Sequence, residues 1–125
     1  MPGIIPHLIA GLGFYFVGEI YYKFASKKKI NKVDHILLLG VCLTFSLIPD
    51  FPLGIYYIFH IFTLDVSKYY HTLLHNIITP ISLIVLVALI FLRKNKRTPI
   101  WVLGMICIIV HIIMDSYIHE GGLWL

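Results

Sequence analysis

Five apolar runs, interrupted by two clusters of positive charge, constrain this chain more than any other feature. They extend from Ile4 to Phe24, Val33 to Ile48, Phe51 to Leu64, Thr72 to Leu92 and Ile100 to Ile118. A helix needs about 20 residues to cross the hydrocarbon core of a bilayer. Three runs are comfortably long by that measure, one is tight, and Phe51 to Leu64, with 14 residues, is short. With 59% apolar residues, 13% charged residues and a mean hydropathy of +0.90, the chain is far from a soluble globular average, and a single integral membrane domain over residues 1–125 is the economical reading.

The charge pattern threads these runs. Lys23, Lys27, Lys28, Lys29 and Lys32 follow the first run, and Arg93, Lys94, Lys96 and Arg97 follow the fourth; only Lys68 of the 10 Lys and Arg falls elsewhere. Short basic loops stay cytoplasmic. The first run then passes from outside to inside, the second back out, the fourth in and the fifth out. Phe51 to Leu64 cannot be a full span in this scheme and is expected as a short re-entrant or interfacial helix on the outer side. The fold class is therefore an all-α membrane protein, four transmembrane helices plus that short helix, multi-pass in the cell membrane. No Lys or Arg precedes the first run and no small-x-small cleavage site follows it, so it is expected to stay.

The net charge of +4 does not imply a nucleic-acid partner, because the basic residues sit in two short clusters beside apolar runs. Membrane lipid is the expected partner. Cys42 and Cys107 lie mid-segment without CxxC spacing, which argues against a zinc knuckle and against a useful disulfide. Pro80 is expected to bend its span, Asp65 or Ser67 to cap a helix beginning near Lys68, and Glu19 to pair with Lys23 four residues on. Gly11 and Gly18 would let the first helix approach its neighbours closely.

Threading places six of the 7 histidines and four of the 6 acids at the end opposite the basic clusters. His111, Asp115 and His119 are spaced four apart and form one polar stripe on the last helix. His71 and His75 repeat the device, His7 stands at the start of the first span, and Asp50 sits in a turn between Pro49 and Pro52. A lone histidine on an apolar helix is usually a satisfied core residue. An Asp within a span, by contrast, costs roughly 2.5–3.5 kcal/mol on insertion scales and almost always faces a cavity, partner or ion. Four segments carrying such residues at one end point to a metal-type site. Its candidate ligands are His7, Asp50, His60, His71, His75, His111 and Asp115, with His119 and Glu120 as candidate catalytic or substrate contacts. Imidazole and carboxylate suit zinc first and manganese second, as one or two ions, with Asp115 the natural bridge between two. Asp65 reads better as a helix cap than as a ligand.

These residues carry a resemblance. His7, the turn Leu47-Ile48-Pro49-Asp50, the pair in His71-Thr72-Leu73-Leu74-His75-Asn76, and His111-Ile112-Ile113-Met114-Asp115 followed by Gly121 and Gly122 resemble the membrane-bound metal-dependent hydrolases of the YdjM-like group. The likeness covers nearly the whole chain and is looser to zinc-dependent phospholipase C and the single-strand-specific zinc nucleases. Where the family pattern has an Arg and a Ser after the paired histidines, this chain has Thr72 and Asn76, and the pair is one residue closer together; His60 is an alternative partner for one family histidine. The resemblance implies phosphoester hydrolysis. Together with the threading, the expected substrate is a phosphoester or lipid-derived one at the extracytoplasmic interface, with a spare histidine or carboxylate such as His119 handling the leaving-group proton. The rival expectation is a non-enzymatic protein that binds haem through His75 and His111 or transports metal or protons.

Overall fold

A computed structural model of the chain describes residues 4–26, 30–92 and 95–117, excepting the side chain of Ser116. Among these residues all regular structure is helical. Helix α1 spans Ile4–Ile20 and widens into a π-helical turn at Tyr21–Ala25. Helix α2 spans Lys32–Leu47; Asn31 caps it by accepting the Asp34 N–H at 2.7 Å, and Asp34 itself lies in the first turn, where a negative charge complements the helix dipole.

A 3-10 turn at Ile48–Asp50 joins α2 directly to α3, Phe51–Phe59. The first nine residues of the Phe51 to Leu64 run thus form a helix that continues from α2 without a loop and packs on α4, Leu64–Leu73. Its end is set by His60, which adopts the left-handed conformation (φ 53°) and returns its N–H to the Tyr56 carbonyl at 3.0 Å. Thr63, not Asp65 or Ser67, caps α4, its hydroxyl accepting the Val66 N–H at 3.4 Å, and the helix begins at Leu64. The reason is position: Thr63 has the extended backbone that a cap requires, whereas Asp65 and Ser67 already lie within the helix.

A second π-helical turn, Leu74–Ile78, leads into α5, Thr79–Leu92. It answers the bend expected from Pro80. Proline has no N–H to donate and crowds the preceding turn, and the wider turn just before it accommodates the ring while the Thr79 hydroxyl bonds the Leu74 carbonyl at 2.8 Å. Helix α6 spans Thr98–Tyr117.

Four helical rods, Ile4–Ala25, Lys32–Phe59, Leu64–Leu92 and Thr98–Asp115, are long and apolar enough to cross a membrane. At 1.5 Å per residue the second and third, of 28 and 29 residues, reach about 42 Å, longer than a hydrocarbon core of about 30 Å. Large apolar side chains face outward, among them Phe16, Phe24, Ile36, Ile84 and Phe91, as a lipid-solvated bundle requires. The core of Tyr22, Leu38, Val41, Cys42, Ile100, Leu103 and Cys107 lies where α1, α2 and α6 meet. Gly18 and Gly11 permit that approach: a Cβ at Gly18 would lie 2.8 Å from Leu38 and Leu103, and one at Gly11 would lie 3.1 Å from the Cys42 carbonyl oxygen.

The basic end is closed by polar contacts that differ from the pairing expected there. Glu19 meets Nδ1 of His35, while the Lys23 ammonium lies over the Phe24 ring at 5.3 Å. The π-helical turn beginning at Tyr21 interrupts the α-helical spacing on which the Glu19–Lys23 pair depended. Arg97 donates to Asp34 at 2.8 Å, and the Tyr22 hydroxyl donates to the Lys96 carbonyl at 3.1 Å. These bonds tie α1, α2 and the start of α6 together.

Candidate metal centre

At the opposite end, six side chains from four rods converge. His7 comes from the first turns of α1, Asp50 from the last residue of the 3-10 turn, His71 from α4, His75 from the second π-helical turn, and His111 and Asp115 from adjacent turns of α6. The irregular turns are what aim them. Pro49 helps form the tight turn that carries Asp50 into the interior, and the π-helical turn rotates His75 relative to His71. The two histidines therefore face different carboxylates, His71 Nε2 standing 3.0 Å from Asp50 Oδ1 and His75 Nε2 2.9 Å from Asp115 Oδ2.

His7 and His111 lie between these carboxylates. His7 Nε2 is 3.3 Å from Asp50 Oδ2 and 3.3 Å from Asp115 Oδ1; His111 Nε2 is 3.2 Å from Asp115 Oδ2 and 3.8 Å from Asp50 Oδ1. One donor atom from each of His7, Asp50, His111 and Asp115 lies within 4.8 Å of the other three, so this group could hold a metal ion. Bonds of about 2.0–2.1 Å in a tetrahedral zinc site place neighbouring ligand atoms about 3.3 Å apart. The individual His–Asp contacts, 3.2–3.8 Å, approach that length through different oxygens of each carboxylate, while a set of one donor atom per residue fits within 4.8 Å.

Burial and hydrogen bonding test the fit further. His7 Nδ1 and Nε2, Asp50 Oδ2, His111 Nε2 and Asp115 Oδ1 are all buried without a hydrogen-bond partner. Buried polar atoms are almost always paired, and leaving one unpaired costs about 1–3 kcal/mol. Four such atoms in one cluster, one from each residue, suit a cation better than a close-packed core. The Nδ1–H of His111 donates to the Ser46 carbonyl at 2.9 Å, which leaves a lone pair on Nε2 aimed into the cluster, the arrangement ligating histidines use. Its ring also stacks on His7, with centroids 4.1 Å apart.

Charge balance points the same way. Among the described residues every ion-pair partner of Asp50 and Asp115 is a histidine, and their side chains are only 2% and 7% exposed. Two carboxyl groups so dry need compensation, from an ion, from imidazolium or from a proton retained by one of them.

Of the ligands expected from sequence, His7, Asp50, His71, His75, His111 and Asp115 are brought together. His60 is not: it is exposed at the end of α3, with its ring edge-on to Tyr56 at 5.9 Å. His119 and Glu120 lie outside the described residues. Asp115 does span several histidines, as a bridge would, but Asp50 does so equally. Sequence reasoning missed Ser46, which acts through its backbone carbonyl and leaves no residue-type signal.

Comparison with known proteins adds nothing to this geometry: no family model, curated protein or solved structure matches the chain.

Proposed function

We propose that this chain is a membrane-embedded metal-dependent hydrolase acting on a phosphoester or lipid-derived substrate at the extracytoplasmic interface. The observation that carries the reading is the set of buried, unpartnered donor atoms from His7, Asp50, His111 and Asp115. Zinc is the first expectation and manganese the second, since imidazole and carboxylate donors suit both. A divalent ion held there would supply Lewis acidity and a water whose pKa is lowered toward about 7. His71 and His75, each against a carboxylate, are placed to hold a second ion or to accept and return a proton.

The lipid-derived substrate class has its own support. An apolar cavity of about 460 Å³ lies beside the cluster, lined by Phe45, Phe51, Ile78 and Ile108 and by chain neighbours of the candidate ligands, Pro49 and Leu74. Its size is in the range that accommodates an organic ligand.

One observation bears on the haem alternative. His75 and His111 Nε2 converge on the same oxygen, Asp115 Oδ2, at 2.9 and 3.2 Å, which leaves no room for a porphyrin between them. The decisive experiment is elemental analysis of the purified protein followed by turnover assays with Zn²⁺ or Mn²⁺ on phospholipid and generic phosphodiester substrates. Bound metal with metal-dependent turnover is expected. A Soret band, or full metal content with no turnover on either substrate class, would overturn the reading.

A further inference from the structure

At the basic end, remote from the histidine cluster, α1 and α5 each pack on α6 but scarcely touch each other. The gap between them is a cavity of about 760 Å³. Its apolar lining comes from Val17 of α1, Ile90 and Phe91 of α5, and Val102 and Leu103 of α6. Val17 and Phe91 are 53% and 72% exposed, so the cleft opens sideways to the surface that lipid covers. Water gains no hydrogen bonds from such walls, and an empty space of this size forfeits the dispersion contacts of its lining. A hydrocarbon chain satisfies both conditions.

The mouth has a different chemistry. Tyr21, Asn95 and Lys96 line it. The Lys96 side chain is 61% exposed; its ammonium stands 3.7 Å from Asp34, whose other oxygen already accepts from Arg97 at 2.8 Å. The remaining acid of this end, Glu19, is engaged by His35. Lys96 and Arg97 thus share the one carboxylate of Asp34, which leaves about one cation beside the opening without a matching acid among these groups. Basic pockets between spans, at the level of the headgroups, recognise anionic lipid.

We infer that this cleft binds one anionic phospholipid of the adjoining leaflet, with an acyl chain between α1 and α5 and its phosphate at Lys96. The site is independent of the metal centre. The test is native mass spectrometry of the purified protein offered equal amounts of phosphatidylglycerol and phosphatidylcholine with identical chains. Wild type should retain the anionic lipid by roughly fivefold over the zwitterionic one, the effect of about one cation near the headgroup. Lys96→Gln should bring the two to parity, and Lys68→Gln, at the other end, should change nothing. Val102→Trp fills the floor of the cleft and should reduce retention of both lipids; Val17→Phe, on the cleft's exposed wall, serves if that variant does not fold. Equal retention of the two lipids by wild type, undiminished retention by the filled variants, or a second copy of the chain excluding lipid from the cleft would each overturn the inference.

Discussion

Asp115 touches three imidazoles, those of His7, His75 and His111, and lies within the last span. If its role were structural, Asp115→Asn would be tolerated or even favourable, because a neutral amide enters a membrane more easily than a carboxylate. If it holds an ion, the same change removes a ligand charge. We expect Asp115→Asn to remain inserted and folded, to lose zinc affinity by more than the roughly 10–100-fold that outer-shell substitutions cost, and to lose any phosphoester turnover. Metal titration of the purified variant reads this directly, and undiminished affinity and activity would exclude the site. Acidity acts on the same residues from the other side. Imidazole ligates only when neutral and its unperturbed pKa is about 6.5, so protons displace metal as pH falls and release it when pH rises again. Metal content should be full at about pH 8 and drop below the histidine range; constancy to about pH 4 would contradict a histidine-rich centre. The histidines and acids of the centre were legible in sequence because polar residues on apolar helices stand out. His60 shared that signal, yet one left-handed residue ends α3 and leaves it outside, and backbone conformation of that kind has no residue-type signature.

Helix α1 supplies His7, and its distance from α2 is limited by Gly11, one helical turn further along. A side chain at Gly11 would press on the Cys42 backbone carbonyl and on Ser46, the residue whose carbonyl orients His111. Gly11→Leu should therefore cost about 1–3 kcal/mol by overpacking and weaken metal binding, although the residue carries no ligand. Gly13→Leu is the control, because a Cβ there meets nothing within 4 Å. Equal metal content and thermal stability in the two variants would rule out this coupling. At this scale the four long helices were legible from apolar run length and charge, because a bilayer allows few alternatives. The two π-helical turns were not. They depend on how Pro80, and the contacts around Tyr22, are accommodated within the assembled bundle, and the failed Glu19–Lys23 pairing follows from the same irregularity.

The molecule as a whole is polarised, with Lys96 and Arg97 closing one end around Asp34 and the histidine cluster at the other. If the basic end is cytoplasmic, Asn95, exposed in the turn before α6, is sealed from the exterior. In a Cys42→Ser, Cys107→Ser background, Asn95→Cys should resist a membrane-impermeant thiol reagent on intact cells and react after permeabilisation. Efficient labelling of intact cells would reverse the orientation and place the centre on the cytoplasmic side. The wide spacing of its donors along the chain has a further consequence, for biogenesis. His7 leaves the ribosome first, Asp50 follows, and the pocket between them stays incomplete until His111 and Asp115 arrive with α6. A nascent chain therefore passes through most of its insertion with that pocket incomplete, and the four-donor set of His7, Asp50, His111 and Asp115 exists only once the fourth rod has docked. If that set holds an ion, loading is a chemical record of finished assembly: metal-free chains are the ones a quality-control protease should find easiest to open, since an ion that binds only the completed bundle adds its binding free energy to that state alone.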